Sequence, residues 1–542
     1  MTSFQQADKR PLGHGQFVNT EFYAQDNWRV GRRFTVEAGV RFYYLTPTRS
    51  QGDQVAQFEP DLFDPTAAPL LYLPINVDGV RRALNPLTND TSLPALYIGR
   101  PIPRTGNLYT GTQLYDGTPQ QRSPFEVAPR LGFAWDITGD GRTAIRGGAG
   151  IFYDRYAEND ILELTELPPL VHTYTANYTT IADLKKTEHE QSETTNATRR
   201  IQEFVPPVVY NWSAGVQRDV GWSVVVDGAY VGNAARRQPI TRELNGRPYG
   251  YRFQPSSLDS TNTIGGVTQP LTDDLLRPYR GYASISQREF TGYADYHSVQ
   301  LSATRRRRAD GLMFGAAYTY EIVNKTLGAV DPFLADNRAR NYNSLGRRPH
   351  TLNIHYSWLV PGLSRSSWAL VRGIVNDWQF SGVTSFLSGA QGPFTYSYSS
   401  VPTGALIDNG SIGGGPNRPR IVCDPSLPRS QRTYERQFRT ECIAAPGDPY
   451  HFGTARGDEF HGPGYINWDI SAFKHIPMGG SRRLQFRVEL YNAFNTYQWT
   501  TVNTNAEFNF VTGALSNGKV FGSLTGATNS ARRIQLAARF TF

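Results

Sequence analysis

The sequence predicts an all-β fold, an antiparallel up-and-down transmembrane β-barrel with long extracellular loops. Three observations carry that prediction. The first is the stretch 465–495, which reads as two long strands around a short turn. In its second strand Leu484, Phe486, Val488 and Leu490 alternate with Gln485, Arg487, Glu489 and Tyr491. In its first, Ile466, Trp468, Ile470 and Ala472 alternate with Asn467, Asp469 and Ser471. Period-two alternation makes one face apolar and the other polar, and Pro477, Met478, Gly479 and Gly480 supply turn chemistry between the strands. A hydrocarbon band roughly 25 Å tall, crossed at about 40° of tilt, takes about ten residues. Both strands reach that length. An arginine on the lipid face at mid-bilayer costs about 2–4 kcal/mol, so the face carrying Arg487 and Glu489 must look into a polar lumen.

The second observation is the spacing of strands. Pairs are joined by short turns and separated by long loops, the asymmetry of barrels with periplasmic turns and extracellular loops. A soluble sandwich would show strands of about five or six residues with turn signals every 8–12 or so. Loops of this length also argue against a compact soluble domain. The third is composition. Of 542 residues 39% are hydrophobic and 13% aromatic, with a mean hydropathy of −0.46. No run of 18 apolar residues occurs, so no transmembrane helix is expected. Barrel strands, which hide their apolar half in alternation, remain open.

Taken in order, the first pair spans 20–30 and 33–45 through Gly31. Phe22, Ala24 and Trp28 share a face that Asp26 interrupts, and Phe34, Val36, Ala38, Val40 and Phe42 share one opposite Glu37 and Arg41. The second pair is 125–137 and 142–153, turning at Gly139, Asp140 and Gly141. The third is 208–218 and 222–231, turning at Asp219, Val220 and Gly221, with Trp222, Val224, Val226 and Tyr230 on one face. The fourth is 295–305 and 312–321, the fifth 351–360 and about 372–387, and the sixth is the hairpin described above. A single strand closes the chain, in which Ile534, Leu536, Ala538, Phe540 and Phe542 alternate with Gln535, Ala537, Arg539 and Thr541. Irregular loops are expected near 46–124, 155–206, 233–294, 388–464 and 496–531, and residues 1–17 are expected to be disordered.

Six pairs and one terminal strand make thirteen. In an up-and-down sheet the first and thirteenth run the same way and cannot close antiparallel, and bacterial single-chain barrels have even counts. The N-terminal residues show no apolar stretch of the kind a signal peptide carries. Both features fit the C-terminal part of a larger barrel.

The formal charge of +8 raises nucleic acid as a partner. The basic residues are dispersed apart from Arg305–Arg308, which sits at a turn, and no nucleic-acid motif supports that reading. The two cysteines, Cys423 and Cys442, fall in one long loop without zinc spacing. In an oxidising exterior they could close a loop of about 20 residues, worth about 3 kcal/mol in the chain-entropy model; two unpaired thiols are the alternative. His451, Asp458, Glu459 and His461 are metal-ligand types, but their spacing matches no metal motif and Gly453, Gly457 and Gly462 make a plain loop the simpler reading. Gly413–Gly415 with Asn417 lacks the strand-then-helix context of a phosphate loop. No catalytic signature and no cofactor motif is found. Tyr249, Tyr251 and Arg252, and Tyr279, Arg280 and Tyr282, combine aromatics with guanidinium groups suited to glycan or peptide capture. Loop self-packing and lipopolysaccharide contact explain them equally well.

Several segments together resemble one family. FYAQDNWRVGRRFTVEAGVRF, YNWSAGVQRDVGWSVVVDGAYVGN, YHSVQLSATRRRRADGLMFGAAYTY, NDWQFSGVTSFLSG, GPGYINWDISAFKHIP, LQFRVELYNAFNT and RRIQLAARFTF, in this order from about residue 18 to the end, resemble the barrel of Oar-like TonB-dependent transporters. That resemblance implies a barrel of 22 strands with an N-terminal plug, often a preceding β-sandwich, and energy delivered by TonB to a TonB box. Plug, box and sandwich are not read in these residues, so TonB is expected to act only through a plug outside them. Thirteen strands fit the last thirteen of 22, making 18–542 a partial receptor barrel. The terminal strand, with Phe540 and Phe542, resembles the signal read by the barrel-assembly machinery, since an edge strand offers unpaired N–H and C=O groups for templated pairing. The implied function is uptake of an unknown solute across the outer membrane of a Gram-negative cell, with outer-membrane lipid and lipopolysaccharide as surroundings. The alternatives are a surface-exposed binding or adhesion barrel without transport, and a gene fragment with no function of its own.

Overall fold

A computed structural model describes residues 3–10, 13–51, 54–121, 125–155, 159–177, 180–182, 193–200, 204–247, 250–327, 341–344, 346–362, 368–407, 417–447, 453–528 and 531–542. Thirteen consecutive antiparallel strands form one sheet in chain order. They are β1 (Asn19–Val30), β2 (Phe34–Leu45), β3 (Glu126–Asp136), β4 (Thr143–Tyr153), β5 (Val208–Gly221), β6 (Val224–Glu243) and β7 (Tyr282–Arg305), followed by β8 (Leu312–Leu327), β9 (His350–Leu359), β10 (Trp378–Leu387), β11 (Tyr465–Pro477), β12 (Arg483–Tyr491) and β13 (Arg533–Thr541). A fourteenth strand, Thr195–Arg200, lies parallel to the outer part of β7. Among the described residues β1 pairs only with β2, and β13 only with β12.

Directly paired residues share a face, so the register can be followed from strand to strand. One row runs Asp136, Ala144, Gln217, Asp227, Ser302, Ala317, Asn353, Ser385, Asn467 from β3 to β11. It is polar or small throughout. A row on the opposite face runs Val30, Phe34, Trp135, Ile145, Val216, Gly228, Leu301, Tyr318, Leu352, Phe386, Ile466 from β1 to β11. No charged side chain enters it. A slip of one residue anywhere would exchange the faces, and none occurs along either row. The apolar row starts at the turn end of β1 and reaches the loop end of β11. Such a stagger is what tilted strands in a barrel wall require.

Aromatic pairs flank the apolar band at both ends. Phe34–Phe133, Trp358–Phe380 and Trp378–Phe380 lie toward the turns, with centroids 6.3, 6.4 and 6.1 Å apart. Tyr320–His350, Phe386–Trp468 and Trp468–Phe494 lie toward the loops, at 5.0, 5.6 and 5.6 Å. Amphipathic rings at both water boundaries are the usual girdles of an outer-membrane barrel.

The turns are built locally. Asp136 accepts the backbone N–H groups of Gly139 (2.8 Å) and Gly141 (3.0 Å), and both glycines have positive φ. The third hairpin differs from expectation. Trp222, expected on the strand, forms its turn with Ser223, both at positive φ, because the twist of a two-residue hairpin demands that conformation. In the fifth pair the second strand begins at Trp378 rather than near 372. A helix, Ala369–Val375, occupies the preceding residues and leaves Leu370 and Ile374 exposed.

Two strands outgrow the bilayer. β7 has 24 residues, roughly 80 Å at about 3.3 Å each, and β6 continues to Glu243 rather than stopping near 231. The segments expected to be irregular carry small sheets of their own, among them Gln54–Phe58 with Thr112–Asp116, and Thr395–Ser399 parallel to Asn505–Asn509. Residues 1–17, expected to be disordered, contribute Ser3–Ala7 against Thr173–Asn177 and Gly15–Gln16 against Arg49–Ser50. These polar segments need no core of their own because neighbouring loop segments supply their hydrogen bonds.

The buried core lies at the loop end. Phe394, Tyr396, Phe438, Ile443, Phe460, Ala506, Phe508 and Phe521 form one cluster, and Phe58, Ala197, Tyr282 and Ile285 another. A wall one strand thick, with lipid on one face and lumen on the other, has no interior. Only the loops fold onto one another.

Candidate functional site

The site with the most construction in it is the cap of loops standing on the polar face of the wall. Below the cap, short polar side chains bridge neighbouring strands. Ser381 Oγ donates to Ser357 Oγ at 3.1 Å, Ser385 Oγ to Asn353 Oδ1 at 2.8 Å, and Asn233 pairs with Asn211. Arg487 sits 3.5 Å from Glu489 and lies over the Phe473 ring, while Arg41 pairs with Glu21. These charges have an opposite charge or a ring beside them, which suits a hydrated lumen and no hydrocarbon.

Above it, a buried polar network ties two loop segments to β6 and β7. Gln57, fully buried, donates to Glu59 Oε1 (2.8 Å) and to the Arg200 carbonyl (3.0 Å), and its own carbonyl accepts the Arg200 backbone N–H (2.9 Å). Arg199 joins Glu59 at 3.5 Å and donates to Gln287. Gln287 donates to Glu289 Oε2 (2.9 Å), which Arg242 clamps with two donors at 3.2 and 3.0 Å. Desolvated charges persist only when paired and hydrogen-bonded. This network therefore holds the loops in one arrangement.

The aromatic candidates for ligand capture divide. Tyr282 is buried, donates to the Thr110 carbonyl at 3.0 Å, and packs with Phe58, Phe63 and Tyr279. Arg280 donates to the Pro65 carbonyl at 2.9 Å. Arg252 is engaged by Asp273 at 3.0 Å, and Tyr251 is half-buried in a 3-10 turn. Tyr249 lies outside the described residues. The structure brings Tyr279, Arg280 and Tyr282 together as cap framework, and it keeps Arg252 occupied elsewhere.

The loop carboxylates are likewise spent. Asp458 accepts the Ser344 backbone N–H (3.0 Å) and pairs with Arg456 (3.2 Å), and Glu459 accepts the Arg456 N–H (2.6 Å). Burial holds the His461 imidazole below its ordinary range. His451 and Gly413–Gly415 lie outside the described residues, and Asn417 donates to the Tyr396 carbonyl at 3.2 Å. Among the described residues no group of three His, Cys, Asp or Glu is placed to hold a metal ion. Burial pushes the Asp274 carboxyl up, whereas the Ser426 backbone N–H holds Asp424 down. Cys423 and Cys442 are joined as a disulfide with Cα atoms 4.9 Å apart, next to Ile443 of the larger core. Phe540 and Phe542 are exposed on the edge strand, their rings 6.2 Å apart.

Sequence reasoning did not find the buried Gln57–Glu59–Arg199–Gln287–Glu289–Arg242 network. Its one local signal is the acceptor-rich alternation of Gln57 with Glu59 and of Gln287 with Glu289, two residues apart on one strand face.

No curated protein matches the chain. Among solved structures it is similar to the outer membrane transporter YddB from Escherichia coli, at 12% identity and a TM-score of 0.41, covering 96% of this chain and 53% of that one. It is similar to the ferric-catecholate import receptor Fiu from E. coli K12, at 10% identity, a TM-score of 0.39 and 97% and 44% coverage. For the FrpB iron transporter from Neisseria meningitidis (F3-3 variant) the values are 10%, 0.37, and 97% and 55%. The chain thus spans about half the length of the solved structures it matches. A family model described as outer membrane beta barrel domain matches residues 1–535, and by that match the chain belongs to the outer membrane beta barrel domain family and is a protein of the outer membrane.

Proposed function

We propose that this chain forms part of the wall and the outer cap of a TonB-dependent transporter or receptor, taking part in uptake of a solute across the outer membrane. The observation that carries the reading is the unbroken row of polar or small residues from Asp136 to Asn467 beneath a packed roof of loops. A water-filled passage needs such a face, and capture from outside needs loops held in place. Residues 18–542 are then the last thirteen strands of a 22-stranded wall. In support, β1 and β13 run the same way, and among the described residues each pairs on one side only. TonB acts on this wall through a plug outside it, Phe540 and Phe542 guide its assembly, and Cys423–Cys442 braces the cap in the oxidising exterior.

The cap favours a second reading, a surface receptor that binds without transport, because its packed aromatic clusters would be as useful to an adhesin. Growth on a defined mixture of peptides, glycans and chelated metals separates the two. Cells with the intact gene, cells lacking it and cells lacking TonB are compared by mass spectrometry of the medium. Transport predicts a solute whose depletion requires both the gene and TonB. Unchanged depletion together with altered cell-surface attachment would favour the binding reading.

A further inference from the structure

On the lipid-facing side, at the loop end of β8 to β11, the wall and the cap enclose an open cleft of about 940 Å³. Its floor is a single cross-strand row of the apolar face, Tyr318, Leu352, Phe386 and Ile466. Its roof is the loop that carries Arg429, Arg432 and His461. Arg432 is held by two carbonyls, donating from Nε to Leu427 and from Nη1 to His461, both at 3.0 Å. Arg429 opens a short 3-10 turn and is exposed. No Asp or Glu lines the cleft, and among the described residues neither arginine forms an ion pair. Among the described residues, two guanidinium groups over an apolar floor, at the loop end of the wall, are therefore left without an ion-paired carboxylate.

We propose that this cleft seats a phosphorylated lipid of the outer leaflet, with acyl chains along the Leu352–Phe386–Ile466 row and a phosphate under Arg429 and Arg432. Guanidinium groups match phosphate oxygens with paired, charge-assisted donors, and a ligand of the opposite polarity has no place there. The apolar floor distinguishes a lipid from a free phosphate, which gains nothing from Phe386. The cap would then be fastened to the membrane on its outside as well as to the wall beneath it. The inference rests on the reading that the Tyr318–Ile466 row faces lipid.

Native mass spectrometry of the membrane-extracted protein tests it, using lipid A with its phosphates and the same glycolipid with them removed. Wild type is expected to retain the phosphorylated form about tenfold better, the scale of one charge-assisted contact. Arg429→Gln with Arg432→Gln should abolish the preference, and Arg429→Gln alone, at a position whose side chain makes no hydrogen bond among the described residues, should reduce it. Arg142→Gln at the opposite end of the wall should leave it intact. Equal retention of the two lipids, or loss of the phosphorylated lipid to millimolar inorganic phosphate, would overturn the proposal. A protein without a heat-modifiable band would overturn the barrel reading beneath it, a failure distinguishable from failure of the cleft in a folded barrel.

Discussion

Trp212 of β5 lies across Gly232 of β6, its indole covering the place where a Cβ at position 232 would stand. The ring also packs 5.7 Å from His297 of β7, so one tryptophan links three strands of the apolar face because the middle one lacks a side chain.

Gly232→Val should therefore push Trp212 off its seat at an overpacking cost of about 1–3 kcal/mol. Gly232→Ala should show a smaller loss. The temperature at which the heat-modifiable band disappears reads this directly, and an unchanged temperature for both variants would place the ring elsewhere.

The faces of β12 predict opposite outcomes for neighbouring residues. Phe486 pairs with Lys474 and Ala538 on the outward row, Arg487 with Phe473 and Ala537 on the inward one. Phe486→Arg is expected to cost about 2–4 kcal/mol in the bilayer and to impair assembly, whereas Arg487→Ala should assemble normally. Heat modifiability of the two proteins in outer-membrane fractions checks the assignment, and equal behaviour would refute it.

Cys442→Ser should loosen the cap by about 3 kcal/mol in the chain-entropy model while leaving the wall folded. Limited proteolysis from outside the cell should then cut within 423–442 more rapidly. The same acceleration should follow treatment of the wild type with a reductant.

Asp274 gives a pH dependence whose sign is unusual for a carboxylate. Burial raises its folded pKa above the unfolded value, against the smaller opposing pull of Arg277. Stability from the protonated form is full below the unfolded value and is lost as pH rises through the folded one. Hydrogen-exchange protection in 273–282, taken relative to the intrinsic rate at each pH, should accordingly be greater near pH 4 than at pH 7. Asp274→Asn should be equally protected at both.

Much of the wall was legible because each strand had to satisfy two solvents at once. Alternation of Leu484, Phe486, Val488 and Leu490 with polar neighbours fixes the faces of β12 without any knowledge of its partners, and the pairs of strands follow from turn chemistry such as that around Gly139 and Gly141. Strand ends were harder. Beyond the bilayer the extension of β7 from Tyr282 to about Thr291 follows contact with Thr195–Arg200, a long-range pairing invisible to local periodicity. The cap was the least legible part. Phe394, Phe438, Phe460 and Phe521 come from segments far apart in sequence, and Gln57 meets Arg200 across 143 residues. Local pattern carries no trace of such meetings. Trp222 went astray for a smaller reason: its side chain suits a strand, but its backbone serves the turn.

The location of the core also bears on how this protein comes apart. Its wall is held by ladder hydrogen bonds and the surrounding bilayer, its cap by buried aromatics, a salt-bridged network and a covalent link. Those forces answer to different perturbants, so calorimetry should resolve two melting events instead of one cooperative transition. Detergent exchange should move one of them, and thiol reduction the other.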